Sequence, residues 1–225
     1  MGVWFAFNVA LLLVAYLLGS IPTGFLVAKW VLGIDIRTVG SGSTGATNVL
    51  RTLGKVPALG VLLVDVLKGV LAIALVRYAY SLDFISQPAE ATEILPWMLT
   101  LAGLAAVLGH SKSIWLGFTG GKSVATSLGV LFGLSWSVGL GTLGVFATVL
   151  AISRIVSLSS IMGAIAVSGL MFAFHQPLAY QLFGIAGGLF VIVRHRSNIQ
   201  RLLNGTEPRI GEKIQPAETS TSQEA

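Results

Sequence analysis

Residues 3–27 read VWFAFNVALLLVAYLLGSIPTGFLV, a run without a single Asp, Glu, Lys or Arg. A helix needs about 20 apolar residues to cross the hydrocarbon layer of a bilayer, so this stretch is long enough to span it. No basic segment precedes it, which argues against a cleaved signal peptide and for a retained first span. Outward from it, further apolar segments fall at 56–79, 94–109, 123–134, 137–153, 155–174 and 177–193. The whole chain follows the same pattern. Of its 225 residues 54% are hydrophobic and 10% charged, where soluble domains carry about 25% charged residues, and its mean hydropathy is +0.85. The expected fold class is all-α, a polytopic membrane bundle of about seven helices forming one domain over residues 1–207.

Charge placement gives the topology. Lys and Arg collect on the cytoplasmic side of membrane proteins. With seven spans and the N-terminus outside, every one of the 14 Lys and Arg residues except Lys68 and Arg77 falls on that side, and so does the C-terminus. The loop at 80–93 carries Asp83, Glu90 and Glu93 without a basic residue, as an outer loop would. The net charge of +5 therefore reports orientation, and with no soluble basic domain the chain is not read as binding nucleic acid. The absence of cysteine excludes disulfides, thiolate metal sites and a cysteinyl-acyl intermediate. Residues 208–225, rich in Glu, Ser, Thr and Gln, read as a disordered cytoplasmic tail.

Three polar islands interrupt the lipid-compatible pattern, each at the end of an apolar run. The first is Gly40-Ser-Gly-Ser-Thr-Gly-Ala-Thr-Asn48. Such a turn presents consecutive backbone N–H groups to an anion, unobstructed at Gly42 and Gly45, with the polar side chains of Ser41, Ser43, Thr44 and Asn48 alongside. Arg51 follows and can hold a phosphate bidentately. The plainer reading is a flexible connection, which leaves Arg51 unexplained.

The second island runs from His110 to Thr126, HSKSIWLGFTGGKSVAT. Its Gly120-Gly121-Lys122-Ser123 superficially resembles a Walker loop, but that pattern wants a glycine where Leu116 stands and a preceding strand in a soluble sheet. An ATPase reading fails on both. What survives is a glycine turn, a lysine and an adjoining helix N-terminus that favours anions. Lys122 as a boundary anchor and His110 as a helix-end hydrogen-bonding residue are the plainer alternatives.

The third island, Arg194-His-Arg-Ser-Asn-Ile-Gln-Arg201, puts His195, Asn198 and Arg201 on one helical face. Histidine can move a proton near neutral pH, and Asn can orient a hydroxyl. A basic stretch drawn to anionic headgroups is the alternative. Inside the second span, Asp65 and Lys68 share a face at i, i+3. Ionisable groups within a span are costly and line an interior or a polar cavity. Lys68 is expected to face the phosphate site with Asp65 orienting it, against the plainer reading of a mutually neutralising pair.

Taken in order, Gly19-Ser-Ile-Pro-Thr-Gly24, Ser41 to Asn48 with Arg51, Asp65-Val-Leu-Lys-Gly69, Gly109-His110 with Gly117 to Thr126, and Arg194-His195 with Asn198 to Leu202 and Gly205-Thr-Glu207 resemble the bacterial acyl-phosphate:glycerol-3-phosphate acyltransferase family. The likeness covers residues 19–207. It implies a seven-helix membrane fold in the bacterial plasma (inner) membrane, a cytoplasm-facing site, no cofactor and no metal. The implied reaction moves a fatty acyl group from acyl phosphate to the 1-hydroxyl of glycerol 3-phosphate, giving lysophosphatidic acid and phosphate, the first acylation of phospholipid synthesis. Implied partners are glycerol 3-phosphate, a long-chain acyl phosphate and the bilayer, with the enzyme that produces acyl phosphate as a further candidate. By position, Ser41, Arg51, Lys122, His195 and Asn198 would hold glycerol 3-phosphate, with Ser41, Lys122, His195 and Asn198 the expected catalytic group. The glycine turns at 42–45 and 120–121 would receive the acyl phosphate. Lys68, His110, Ser123, Thr126, Arg201 and Glu207 complete the expected binding set. This chain departs from the family where Ser43 replaces a common Asn, Ser123 a common Gly and Lys112-Ser113 a common Phe-Pro.

Acyl phosphate is already activated, so the expected task is to hold two anions together and aim a hydroxyl at a carbonyl carbon. His195 or a phosphate oxygen of a bound substrate would be the base. A small transporter of phosphorylated solutes is the competing class; it predicts polar groups in both membrane halves, whereas the outer half here offers little beyond Arg77. A scaffold protein leaves the three islands unexplained.

Overall fold

The computed structural model of the chain describes residues 2–82 and 91–212; Asp83, Glu90 and the tail beyond Glu212 lie outside them. Among the described residues the regular structure is helical, with one isolated bridge between Ser113 and Thr119. Every apolar segment read from the sequence is a helix. The first is broken. α1 (Gly2–Ser20) and α2 (Thr23–Leu32) part at Ile21-Pro22, because the proline ring disfavours helical backbone at the residue before it. Two short helices follow: a 3-10 turn at Ile36–Thr38 and α3 (Ala46–Leu53). At Gly54, with φ 92°, the chain turns into α4 (Lys55–Ser81). The remaining α-helices are α5 (Ala91–Ser111), α6 (Val124–Leu134), α7 (Trp136–Ser153), α8 (Val156–Ala173), α9 (Leu178–Arg194) and α10 (Arg196–Leu203), with a second 3-10 turn at Ile114–Leu116.

Among the described residues, five helical stretches are long and apolar enough to cross a bilayer: Gly2–Leu32, Lys55–Ser81, Ala91–Ser111, Trp136–Ser153 and Val156–Ala173. α9 joined to α10 across a 61° bend supplies a sixth, and α6, at 11 residues, is too short to cross alone. Large apolar side chains such as Phe5, Leu13, Leu63 and Leu189 stand exposed on the bundle's outside, where lipid is their solvent.

Because lipid tails are as apolar as leucine, helices associate in a bilayer through close packing rather than hydrophobic burial, and small residues permit it. α1 meets α5 at Gly19 and Gly109, where a Cβ would collide with the carbonyls of Ala106 and Tyr16. α4 meets α6 at Gly69 and Gly129, where it would strike the carbonyls of Thr126 and Val66. The core gathers Ile73, Leu99, Val107, Val130, Met171 and Phe183 between these helices. These contacts fix the helix ends that carry the polar islands.

The C-terminal segment is attached further than expected. The sequence places a disordered tail from residue 208, yet the Ile210 N–H donates to the Arg154 carbonyl (2.8 Å), and the Arg154 guanidinium donates back to the Ile210 carbonyl (3.1 Å). Residues 208–212 thus lie strapped to the turn between α7 and α8.

Candidate active site

Three segments far apart in sequence meet at one end of the bundle. The turn before α3, the loop between α5 and α6 and the α9–α10 junction line a single cavity of about 430 Å³. Its polar wall carries Ser41, Ser43, Gly45, Asn48, Arg51, Asp65, His110, Lys122, Ser123, Ser157, His195, Asn198 and Glu207. Gly42 and Gly120 face the other side of the same turns, lining an adjoining cleft of about 450 Å³ with Arg37, Lys112 and Arg194.

The first turn is held from within. Gly42 adopts φ 68°, a left-handed conformation that favours glycine. The Asn48 side chain accepts from the Ser41 N–H (3.0 Å) and donates to the carbonyls of Ile36, Val39 and Ser43. Asn48 is therefore a staple: its amide is committed to the backbone rather than to a ligand. Ser43 Oγ accepts from the Gly45 N–H (3.3 Å), and Thr44 is buried.

The second turn is braced on both sides. The Gly121 N–H donates to the His110 carbonyl (3.1 Å), and Ser111 Oγ donates to the Gly121 carbonyl (2.8 Å). Arg194 reaches in from α9 to the carbonyls of Gly121 (3.1 Å) and Gly120 (3.4 Å). The His110 ring lies so close to Gly121 that a Cβ there would collide with Nε2. Ser123 sits at φ 63° in the left-handed region, which explains why glycine is at home there. Its hydroxyl is not offered to the cavity. It donates to the Val107 carbonyl (2.7 Å) and pairs with Ser111 Oγ (2.9 Å). Thr126 is fully buried behind it, at the α4 contact.

The intramembrane pair is arranged in the reverse of the expected order. Asp65 lines the cavity, whereas Lys68 points away from it. Lys68 Nζ sits 2.9 Å from Asp65 Oδ1 and donates to the Ile21 carbonyl (3.1 Å), which also accepts from the Thr23 N–H (3.0 Å) where Pro22 breaks the first helix. Both side chains are nearly inaccessible, at 3% and 2%, so the lysine takes the two partners at hand. His110 Nδ1 approaches Asp65 Oδ1 from the other side at 3.6 Å.

Lys122, Asn198 and Glu207 form a relay. Lys122 Nζ donates to Asn198 Oδ1, and Asn198 Nδ2 donates to Glu207 Oε1 (2.6 Å). Glu207 also accepts from Ser157 Oγ (2.7 Å) and Arg201 Nε (2.6 Å). Burial alone would raise the Glu207 carboxyl, but these donors together hold it below the usual carboxylate value. Arg201 is thereby spent on Glu207 and is not among the cavity-lining residues. Burial, with the cations Arg201, Arg194 and Arg51 nearby and Glu207 opposing, brings Lys122 down to about 8. His195, beyond the end of α9, pairs Nδ1 with the Val191 carbonyl (2.8 Å). A carbonyl only accepts, so Nδ1 carries the proton and Nε2 keeps its lone pair. Burial is the main reason that His195 falls to about 4.

Ser157, Ser111 and Arg194 escaped the sequence reading as members of the site. The signal for Ser157 was the polar cluster Ser157-Leu-Ser-Ser160 at the start of an apolar run. Chemically, the basin offers Lys122 and Arg51 as cations, and Ser41 and His195 Nε2 as hydroxyl-orienting groups. Its floor opens into an apolar channel. That combination suits an amphiphile whose head is an anion.

Comparison with known proteins agrees with this geometry. The sequence profile of the family described as Glycerol-3-phosphate acyltransferase matches residues 9–205. A glycerol-3-phosphate acyltransferase of Trichormus variabilis is 64% identical over 229 residues, covering 100% of both chains. One from a Nostoc species is 66% identical over 218 residues, covering 95% of this chain and 96% of that one. Among solved structures, PlsY (YgiH), an integral membrane glycerol 3-phosphate acyltransferase, superposes in its glycerol 3-phosphate form with a TM-score of 0.81 at 41% identity, over 91% of this chain and 96% of that one. Its lysophosphatidic acid form gives a TM-score of 0.78 at 40% identity, over 91% and 95%.

Proposed function

The chain belongs to the glycerol-3-phosphate acyltransferase family, and from that premise we propose how it uses a long-chain acyl phosphate as donor. It is an integral membrane acyltransferase that acylates glycerol 3-phosphate to lysophosphatidic acid. The donor, the residue roles, the seven-span topology with the N-terminus outside, and a basin opening to the cytoplasm from the plasma membrane are the proposal. The observation that carries it is the meeting of Ser41, Arg51, Lys122, His195 and Asn198 in one cavity whose far end is apolar. The enzyme that makes acyl phosphate would be the partner supplying the donor.

Arg51 and Lys122 bind the glycerol phosphate, and Asn198, fixed by Glu207, keeps the Lys122 ammonium at that position. The acyl phosphate head lies at the N-terminus of α6, beside Lys122, where the helix terminus offsets the repulsion between the two anions. Its chain runs down the apolar channel. His195 Nε2 and Ser41 orient the 1-hydroxyl toward the carbonyl carbon. The new C–O bond forms as the bond from acyl carbon to phosphate oxygen breaks, the electron pair leaving with phosphate. A group that protonates near 4 is a weak proton acceptor, whereas the departing phosphate carries away the electron pair of the broken bond. The hydroxyl proton therefore passes to the departing phosphate, with His195 as the orienting acceptor.

Purified protein given palmitoyl phosphate and labelled glycerol 3-phosphate is expected to release lysophosphatidic acid and inorganic phosphate in equal amounts. A folded sample that acylates glycerol 3-phosphate only from a thioester donor would contradict the donor assignment.

A further inference from the structure

Below the polar basin the cavity continues among α6, α7, α8 and α9, walled by Leu131, Phe132, Phe146, Val167 and Phe183. Several glycines line it, and they are not alike. A Cβ on Gly188 would run into the Ala164 carbonyl, so that glycine lets α9 lie against α8. Gly187 has no such duty. It is buried, and the three atoms nearest a Cβ there belong to the Phe183 ring of its own helix, the closest at 3.5 Å, an ordinary contact. Gly187 lines the cavity, and with no atom closer than 3.5 Å to a Cβ a side chain there has room in the channel. Gly163 on α8 also lines the cavity without a close approach, its nearest neighbours being Thr142 and Phe146 of α7, from 3.6 Å.

Depth follows from helix geometry. At 1.5 Å per residue, Gly187 lies about 12 Å below His195 along α9, and the Phe183 ring stands at the same depth, 3.5 Å from where a Gly187 Cβ would be. An extended acyl chain advances about 2.5 Å for every two carbons. A chain with its carbonyl beside His195 therefore reaches Gly187 and the Phe183 ring at about the tenth carbon.

We propose that Gly187, with Gly163 on the neighbouring helix, sets the acyl-chain length this enzyme accepts. The missing side chains keep the channel open at mid-depth, beside the Phe183 ring. This rests on the acyl chain occupying the cavity as described under Proposed function. Side chains at these positions would fill the channel without reaching the polar basin, so they change which chain fits and leave glycerol 3-phosphate binding alone. Excluding even one methylene from an apolar site changes kcat/KM by roughly 10–200-fold.

The test is kcat/KM over a ladder from decanoyl to stearoyl phosphate, for Gly187→Ala, Gly187→Val and the control Gly169→Val. Gly169 is exposed on the outer face of α8, and a Cβ there meets nothing. Gly187→Val should lower palmitoyl and stearoyl transfer at least about tenfold relative to decanoyl, with an unchanged KM for glycerol 3-phosphate. Gly187→Ala should shift the profile the same way by less, and Gly169→Val should keep the wild-type profile. A uniform loss at every length, or an unshifted profile, would overturn the proposal. Competitive binding of lysophosphatidic acids of the same lengths reads the channel without any donor. If wild type turns over no acyl phosphate, the donor assignment falls, and the length gauge is then decided by whether Gly187→Val still disfavours the long lysophosphatidic acids.

Discussion

The Lys122 ammonium donates to the side-chain oxygen of Asn198, 76 residues away, and so ties the second polar island to the third. Removing Lys122 takes away a charge-assisted contact worth about 1.5–3 kcal/mol. Lys122→Ala should accordingly raise the KM for glycerol 3-phosphate by roughly 10–100-fold. The sign of the pH effect follows from the lysine's depressed value of about 8. The charged form prevails below it and is lost as pH rises through it, so kcat/KM for glycerol 3-phosphate should fall above about pH 8. Lys122→Arg keeps its charge and should lose that alkaline limb; an unaltered limb would assign it to another group.

His195 separates orientation from proton transfer. If Nε2 only accepts a hydrogen bond from the hydroxyl, His195→Gln, which retains an acceptor, should keep kcat within about tenfold of wild type while His195→Ala falls further. Equal losses of about 10²–10⁴ in both would make His195 the general base. Single-turnover rates with saturating glycerol 3-phosphate measure this directly.

Glu207 is a structural hub, and its loss should appear as instability before it appears as altered chemistry. Its side chain is 3% exposed and accepts from Arg201, Asn198 and Ser157. Truncation leaves buried donors unpaired, at about 1–3 kcal/mol for such a group. Glu207→Ala should lower the melting temperature in detergent by roughly 5 °C or more, and Glu207→Gln by less. Because the carboxyl is held low, its contribution is present at neutral pH and is lost as pH falls through the folded-state value.

At Ser123, two effects oppose. Ser123→Gly relieves the left-handed backbone, worth about 1–2 kcal/mol, but gives up the hydrogen bonds to Val107 and Ser111. Thermal stability should therefore stay within about 1 kcal/mol of wild type. Ser123→Ala gains nothing in return and should be the less stable of the two; the reverse order would refute the strain argument.

Much of this was legible because lipid imposes simple rules. Spans show as apolar runs, and a glycine turn beside Arg51 or Lys122 announces an anion site wherever the fold puts it. What stayed hidden depends on direction rather than residue type. Sequence shows that Asp65 and Lys68 share a face, but not that Lys68 reaches the Ile21 carbonyl at the helix break, away from the cavity. Nor does it show that Asn48 and Ser123 spend their polar groups on the backbone. Ser157 was missed because a serine in a helix usually bonds to its own backbone, as Ser159 and Ser160 do. The strap at 208–212 was missed because its low apolar content reads as disorder.

The central claim is that all three islands open on one face into one basin. The chain contains no cysteine, so single cysteines at Ser43, Thr119 and Ser197 can be labelled with a membrane-impermeant maleimide in sealed inverted vesicles and in intact cells. The account predicts labelling of all three only from the cytoplasmic face, with lysophosphatidic acid protecting the cavity-lining position 43. A single one of the three that reacts only from outside would contradict it.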